Sequence, residues 1–599
     1  MRVCDLVADY IYRCGVEDVF MISGGGLMYL TDGLACNRNL NKVCCHHEQA
    51  VAMATVAYAK YRGMGCAYVT TGCGGTNAVT GLLNAWQDNV PCIFISGQCK
   101  RRETLGYVNL PIRQVGVQEA DIISIVTSIT KYAVMVERKE DILYHLEKAI
   151  FLAQNGRPGP VWLDIPMDIQ SAEIEEEGLR HFDTTELKPS KTEITLKEIE
   201  GLVGDLKKAS RPILVAGHGV RLAGATEELH KFSHKHKIPV VFSRLGTDVM
   251  PTMDDLNIGR IGNKGTRAAN FALQNADLVI AIGSRLSVSS TGQEYEYFAR
   301  EAKVVAIDID KYEHLKQTVH VEQVIQADAK YVLQKLLSVK WEQEYCRWAE
   351  KCLEWKELYP VCLEEYYKDD SRGINMYLFV EELSKYFKDD SVVVTDAGSA
   401  VYVPAQGIKT YDKKQRYITS GAQAEMGFTL PAAIGTCVAR KGKEVLGITG
   451  DGSLQMNIQE LQTLAYHMFP VKLFVWNNDG YLSIRATQNK FFDGRFIGTD
   501  STSGISFPQV EKIANAYGIT YFRIDTIKDL EEKLPIILSE NEPILCEVKI
   551  IRDQEVIPSV NSRKLQNGKL VSSPIEDMYP FIPRDEFESH MIVRPIEDN

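Results

Sequence analysis

At 599 residues the chain is too long for one hydrophobic core and calls for about three domains. Its 45% hydrophobic and 24% charged residues, with 44 glycines, describe an α/β globular protein and exclude a disordered or fibrous one. A formal charge of −12 supplies no positive field, so neither nucleic acid nor an anionic membrane is an expected partner.

The N-terminus, MRVCDLVADYIYRCGV, reads as an amphipathic helix without the charged-then-apolar order of a secretory leader. No segment approaches the roughly 18 apolar residues of a membrane span. Cys44, Cys45, Cys66, Cys73, Cys92 and Cys99 lie in or beside apolar runs at no metal-ligand spacing. Reduced, buried thiols and a cytoplasmic location are therefore expected.

Short apolar runs ending in Gly or Ser then alternate with helical patterns. GCAYVTTG and PCIFISG come first, RPILVAGHG, ADLVIAIGS and KVVAIDID follow, and SVVVTDAG, KEVLGITGDG and VKLFVWNND come last. Such β-branched runs are strands buried on both faces, which predicts an α/β fold of parallel sheets with crossover helices. Charged stretches at residues 170–193 and 363–373 read as linkers. They divide the chain into units over residues 1–172, 190–345 (Rossmann-like) and 371–552, with a tail over 553–599. RPGPVWLDIPMD and NEPILCEVKI close the first and third units alike, each a proline turn before a final strand, which hints at internal duplication.

The stretch GDGSLQMNIQELQTLAYHMFPVKLFVWNND carries the sharpest chemistry. One strand delivers Asp451, between Gly450 and Gly452, to the carboxyl end of a sheet, and the next parallel strand sets Asn478 beside it. A helix predicted from Asn457 to His467 would aim its N-terminal amides at the same place. A carboxylate, an amide oxygen and the Gly480 carbonyl form a hard oxygen set suited to Mg²⁺, with phosphate oxygens completing the shell.

GDGS…NN resembles the metal–diphosphate signature of thiamine diphosphate-dependent enzymes. ITSGAQAEMGFTLPAAIG, just before it, resembles the acetohydroxyacid (acetolactate) synthase branch, and VVVTDAGSAVYVPAQ resembles that family's other diphosphate loop. The resemblance implies three doubly wound domains: pyrimidine-binding, central and diphosphate-binding. It implies cofactor contacts at Gly398, Ser399, Ala400, Ala424, Met426, Asp451, Gly452, Ser453, Asn478, Gly480, Tyr481 and Leu482. Met426 would prop the cofactor into a bent shape, and the Ala424 carbonyl would meet its aminopyrimidine.

In the first unit VCCHHEQAVAMATVAYAK resembles the family's glutamate segment and VFMISGGGLMYL its glycine loop. Glu48 is thus expected at the pyrimidine ring nitrogen, buried and poised to share a proton. Gln118 would face the reacting carbon, although Val117 stands where the family has an aromatic residue, and Gly25 and Gly26 would stabilise an oxyanion. His46 and His47 read as structural. The family's glutamate and diphosphate domains meet across subunits, implying a homodimer or tetramer.

RPILVAGHGVRLAGA and ADLVIAIGSRL resemble the family's central domain, where some members hold FAD or an ADP-containing ligand; Gly217, Gly219 and Arg285 are the residues concerned. SVSSTG replaces the charged residues of flavin-bearing members, which counts against FAD and for a vestigial fold. Arg485, Gln488, Phe491 and Phe492 are candidates for the acceptor side of the pocket, in a stretch closer to carboligases of branched-sugar formation than to the biosynthetic synthases. The tail would lie over the active site. The implied activity is decarboxylation of a 2-oxo acid, pyruvate first, and addition of the two-carbon unit to a carbonyl acceptor, as in acetolactate formation. Alternatives are a non-ligating decarboxylase or acyl-CoA lyase, a carboligase acting on a keto sugar, or a non-catalytic nucleotide-binding homologue.

Overall fold

The computed structural model describes residues 1–187, 192–564 and 570–596. The boundary expected at residue 190 and the last three residues of the tail lie outside the described residues. The parallel runs read from the sequence form three six-stranded parallel sheets. The first holds β1 (Asp18–Met21), β2 (Asn41–Cys44), β3 (Gly65–Val69), β4 (Cys92–Gln98), β5 (Tyr132–Met135) and β6 (Val161–Pro166), in the order β2-β1-β3-β4-β6-β5. The second holds β7 (Pro212–Ala216), β8 (Val240–Phe242), β9 (Asn257–Arg260), β10 (Leu278–Ile282), β11 (Lys303–Asp308) and β12 (Gln323–Gln326), in the order β12-β11-β10-β7-β8-β9. The third holds β13 (Val392–Thr395), β14 (Arg416–Thr419), β15 (Val445–Gly450), β16 (Val471–Asn477), β17 (Thr520–Ile524) and β18 (Ile544–Lys549), in the order β14-β13-β15-β16-β18-β17.

Counted from its own first strand, the third sheet repeats the order of the first. The second has the dinucleotide-fold order, with its switch point between β7 and β10. The shared proline-turn ending is therefore part of a shared topology.

The first and third units join through helices in equivalent places, each between the second and third strands of its unit. One is Glu48–Arg62, which His47 caps by accepting from Gln49 N at 3.0 Å and which Gly63 ends in a left-handed conformation. The other is Thr429–Ala439. Both are rich in small residues, so their axes approach closely: a Cβ on Gly435 would stand 2.1 Å from the Ala54 carbonyl oxygen. Their buried residues belong to one continuous core.

The middle unit reaches past the expected end at residue 345, because Trp348, Cys352 and Trp355 of the helix Cys346–Leu358 lie in its core. The later part of the tail packs on the middle unit, while Asp553 and Asn561 at its start accept from Arg485 and Lys490, each at 3.0 Å. Ile575 and Phe587 are buried in the middle unit's core, and Asn275 Nδ2 donates to the His590 carbonyl at 3.0 Å. Apolar anchors with an open core to fill dock there. Glu576 is buried and accepts from Arg300 and Gln274, each at 2.7 Å. Glu576→Ala leaves that guanidinium without its carboxylate and Gln274 Nε2 without an acceptor, so the middle unit's thermal unfolding should lose about 3 kcal/mol of stability, read by calorimetry.

Among the described residues no helix is long and apolar enough to cross a membrane. All fourteen cysteines are free. Cys44 and Cys73 are exposed, against expectation, because Cys44 ends the edge strand β2 and Cys73 opens the turn that follows β3.

Candidate active site

The carboxyl ends of the adjacent strands β13, β15 and β16 carry Asp396, Asp451 and Asn478. Asp451 accepts three backbone N–H bonds, from Gly452 at 2.7 Å, Gly480 at 3.0 Å and Asn478 at 3.3 Å. Burial pushes its carboxyl up to about 6 in spite of them. The Asn478 Oδ1 atom beside it is buried and without a hydrogen-bond partner. An orphaned amide oxygen next to a desolvated carboxylate fits a hard cation. Gly480 is irreplaceable here, with φ +136° and a would-be Cβ only 2.1 Å from the Thr499 carbonyl oxygen. Tyr481 packs edge-on against Phe507, and Leu482 opens the helix Leu482–Phe492.

The helix expected from Asn457 starts at Glu460, and residues 451–457 form short turns instead, since Asp451 bonds the amides at its own strand end. Gly398 (φ +57°) precedes the helix Ser399–Gly407, which places Ser399 and Ala400 in its first turn. Asp396, missed by sequence reasoning, ties these loops together. It is fully buried and accepts from Ala397 N at 2.7 Å, Thr449 Oγ1 at 2.9 Å and the Ser453 hydroxyl, while Gly427 N donates to Ser453 Oγ at 2.7 Å. Burial raises its carboxyl above the usual range. It ends VVVTD as Asp451 ends VLGITGD, and that likeness was the available signal. Met426 is half-buried on the same loop, and Ala424 takes a left-handed φ of +49°. Strain of this kind concentrates at ligand clamps.

In the first unit Glu48 is buried, and its Oε2 accepts from Asn77 Nδ2 at 2.9 Å. Asn77, in CGGTN, is a second residue that sequence reasoning missed. Gly25 is exposed, whereas a Cβ on Gly26 would collide with Thr71 Oγ1, so the loop after β1 lies tight against the one after β3. Gln118 is exposed in a left-handed conformation (φ +59°), its loop held by Glu119, which accepts from Val115 N at 2.8 Å. The first unit meets the third at the start of the helix Glu48–Arg62: Asn457 Nδ2 donates to Gln49 Oε1 at 3.2 Å and His46 N to Glu460 Oε1 at 3.0 Å. His47 thus caps the helix, and the His46 backbone N–H anchors to Glu460.

The acceptor-side candidates need correction. Arg485 is buried and donates to the carbonyls of Asp479 (2.9 Å) and Asn478 (3.1 Å) and to Asp553 (3.0 Å), so it clamps the Asn478–Gly480 turn from behind. A guanidinium saturates carbonyls of a tight turn more readily than it stays unpaired in a pocket. Gln488 is spent bracing Ile497, accepting from its N–H at 2.9 Å and donating to its carbonyl at 3.1 Å. Phe491 and Phe492 remain half exposed.

Asp164, deep in the first sheet, accepts from Gln98 Nε2 at 3.0 Å, and the same amide nitrogen donates to Ala120 O at 3.0 Å, below the Gln118 loop. Burial raises its carboxyl from 3.8 to about 7. The folded chain therefore holds a proton that the unfolded chain has lost. This contribution is complete below pH ~4 and disappears as pH rises through about 7. Against Asp164→Asn, wild-type stability should fall by up to roughly 4 kcal/mol between those limits, measured by melting at fixed ionic strength.

A second cleft, of about 950 Å³, opens at the switch point of the middle sheet, lined by Gly219, Gly283, Arg285 and Ser287 and by Asp88 and Gly421–Ala424 of the other units. Gly217 lies behind it, its would-be Cβ 2.1 Å from the Gly283 carbonyl oxygen. Arg244 lines the cleft, and the buried Arg260 beside the Tyr402 ring has Nε and Nη1 unpartnered. Burial lowers the Arg260 guanidinium to about 9.

Three family models match in chain order: the N-terminal thiamine pyrophosphate-binding domain over residues 1–125, the thiamine pyrophosphate enzyme central domain over 199–336, and the C-terminal thiamine pyrophosphate-binding domain over 396–548. The chain is 32% identical to the acetolactate synthase large subunit of Lactococcus lactis, over 93% of each chain. It is 31% identical to that of Haemophilus influenzae, over 96% of this chain and 98% of the other. It is 33% identical to the chloroplastic acetolactate synthase 2 of Nicotiana tabacum, over 93% of this chain and 83% of the other.

Proposed function

Because the chain belongs to the thiamine pyrophosphate-dependent enzymes, in the acetolactate synthase branch, we propose that it is a carboligase. Its donor is a 2-oxo acid, pyruvate first, and its acceptor a second carbonyl compound. The observation that carries this reading is the unpartnered, buried Asn478 Oδ1 beside the Asp451 carboxylate. Mg²⁺ would be held by Asp451, Asn478 and the Gly480 carbonyl, and the diphosphate by the turns at Gly398–Ala400 and Gly452–Ser453. Thiamine diphosphate supplies, when bound, an electron sink for the carbon that loses CO₂.

The protein's own residues set the rest. Glu48, buried and oriented by Asn77, holds a proton at the pyrimidine ring nitrogen. Met426 and the Ala424 carbonyl would hold the cofactor's ring end. The Gly25–Gly26 amides and the Gln118 side chain orient and stabilise the developing oxyanion.

Two apolar loops support a homodimer with sites at its interface. Val117 is 86% exposed and Ile497 76% exposed, with Tyr107 and Leu110 beside the first and Phe491, Phe492 and Phe496 beside the second. The middle cleft has the size of a nucleotide site. That favours an ADP-containing occupant over the vestigial unit expected from the sequence, while SVSSTG still counts against FAD. Fourteen unpaired thiols fit a reducing cytoplasm.

Product analysis tests the proposal. With thiamine diphosphate and Mg²⁺, pyruvate alone should give CO₂ and acetolactate, and added aldehydes, ketones or keto sugars should divert the two-carbon unit into mixed acyloins. Free aldehyde or acyl-CoA as sole product would reassign the enzyme, and no CO₂ from a panel of 2-oxo acids would leave a non-catalytic binder.

A further inference from the structure

On the flank of the middle unit the helix Thr226–His236 carries His230 and His234 one turn apart, their rings stacked with centroids 4.2 Å apart. Both Nε2 atoms converge on one carboxylate oxygen, Asp254 Oδ2, at 3.3 Å from His230 and 2.9 Å from His234. All three donor atoms lie within 4.8 Å of one another. Metal–nitrogen and metal–oxygen bonds of about 2.0–2.2 Å put neighbouring ligands of one ion roughly 3–3.5 Å apart, so the donors already stand at coordination spacing.

The carboxylate is also held from behind. Asp254 Oδ1 accepts from Leu256 N at 2.9 Å, and its backbone carbonyl accepts from Lys356 Nζ at 3.1 Å. Outer bonds of this kind fix a ligand's aim before an ion arrives. Both imidazoles are partly exposed and Asp254 is largely covered, which leaves open positions on the solvent side for water. None of the three residues lines the cleft at the middle sheet's switch point.

We infer that His230, His234 and Asp254 form a binding site for a transition-metal dication of the Zn²⁺ class, separate from the hard-oxygen site at Asp451. Two imidazoles and one carboxylate select Zn²⁺, Co²⁺ or Ni²⁺ over Mg²⁺. The role is structural. The turn bearing Asp254 docks on the third unit, with Thr252 N donating to Thr410 Oγ1 at 2.9 Å and Met253 N to Thr410 O at 3.1 Å, while Glu227 at the helix start pairs with Lys413 at 2.9 Å. An ion joining helix to turn therefore braces the seam between the middle and third units.

The test uses full-length protein saturated with thiamine diphosphate and Mg²⁺, so that the hard site is filled. Zn²⁺ titration by calorimetry and Co²⁺ titration by visible absorption should each report one added equivalent per chain, and Zn²⁺ should raise the melting temperature. His230→Ala/His234→Ala, and separately Asp254→Asn, should lose that equivalent and the thermal shift while turnover stays unchanged. The inference is overturned if wild-type protein takes up no Zn²⁺ at micromolar free metal, or if both variants bind as before, which would place the ion on other donors such as the exposed Cys346.

Discussion

Glu48→Gln should leave the protein able to bind thiamine diphosphate and Mg²⁺ and cut turnover by roughly 10²–10⁴-fold, the usual worth of one positioned proton carrier. The substitution keeps side-chain length and the acceptor for Asn77 Nδ2, which lies 2.9 Å from Glu48 Oε2. What it removes is the capacity to hold and share a proton. The control is the Kd for thiamine diphosphate with Mg²⁺, which should move by less than about tenfold (about 1.4 kcal/mol), because Glu48 lies far in sequence from the loops assigned to the diphosphate. Exchange of the thiazolium C2 proton into D₂O should slow in parallel with turnover. Unchanged turnover in saturated protein would remove Glu48 from the chemistry.

Asp451→Asn should have the opposite signature. Affinity for Mg²⁺ measured with thiamine diphosphate present should weaken by about 100-fold or more, some 3 kcal/mol, as a charged ligand leaves an oxygen-only set. The side chain also satisfies three backbone N–H groups, and an amide has one acceptor oxygen where the carboxylate had two. The turn at Gly480 should therefore loosen, and excess Mg²⁺ should restore turnover only in part. Full activity at low Mg²⁺ would show that the cation sits elsewhere.

Much of this was legible in the chain. The β-branched runs marked the parallel sheets because strands buried on both faces carry a nearly continuous apolar pattern. Asp451 and Asn478 were found together because one crossover helix fixes their spacing. Residues acting through long-range contacts escaped notice. Asp396 binds loops that are more than 50 positions apart through Thr449 and Ser453, and Asn77 reaches Glu48 from 29 positions away. Arg485 misled because a buried arginine in a turn and an arginine in a pocket read alike until its carbonyl partners are known. The tail's anchors, Ile575 and Phe587, escaped notice because they complete a core whose gap no sequence pattern announces.

The helices Glu48–Arg62 and Thr429–Ala439 hold matching places in two sheets of the same strand order and press together at Ala54 and Gly435. A pairing of like with like is self-complementary, so it closes on itself and does not propagate into filaments. At that crossing Gly435 has no room for a side chain unless the Ala54 backbone gives way.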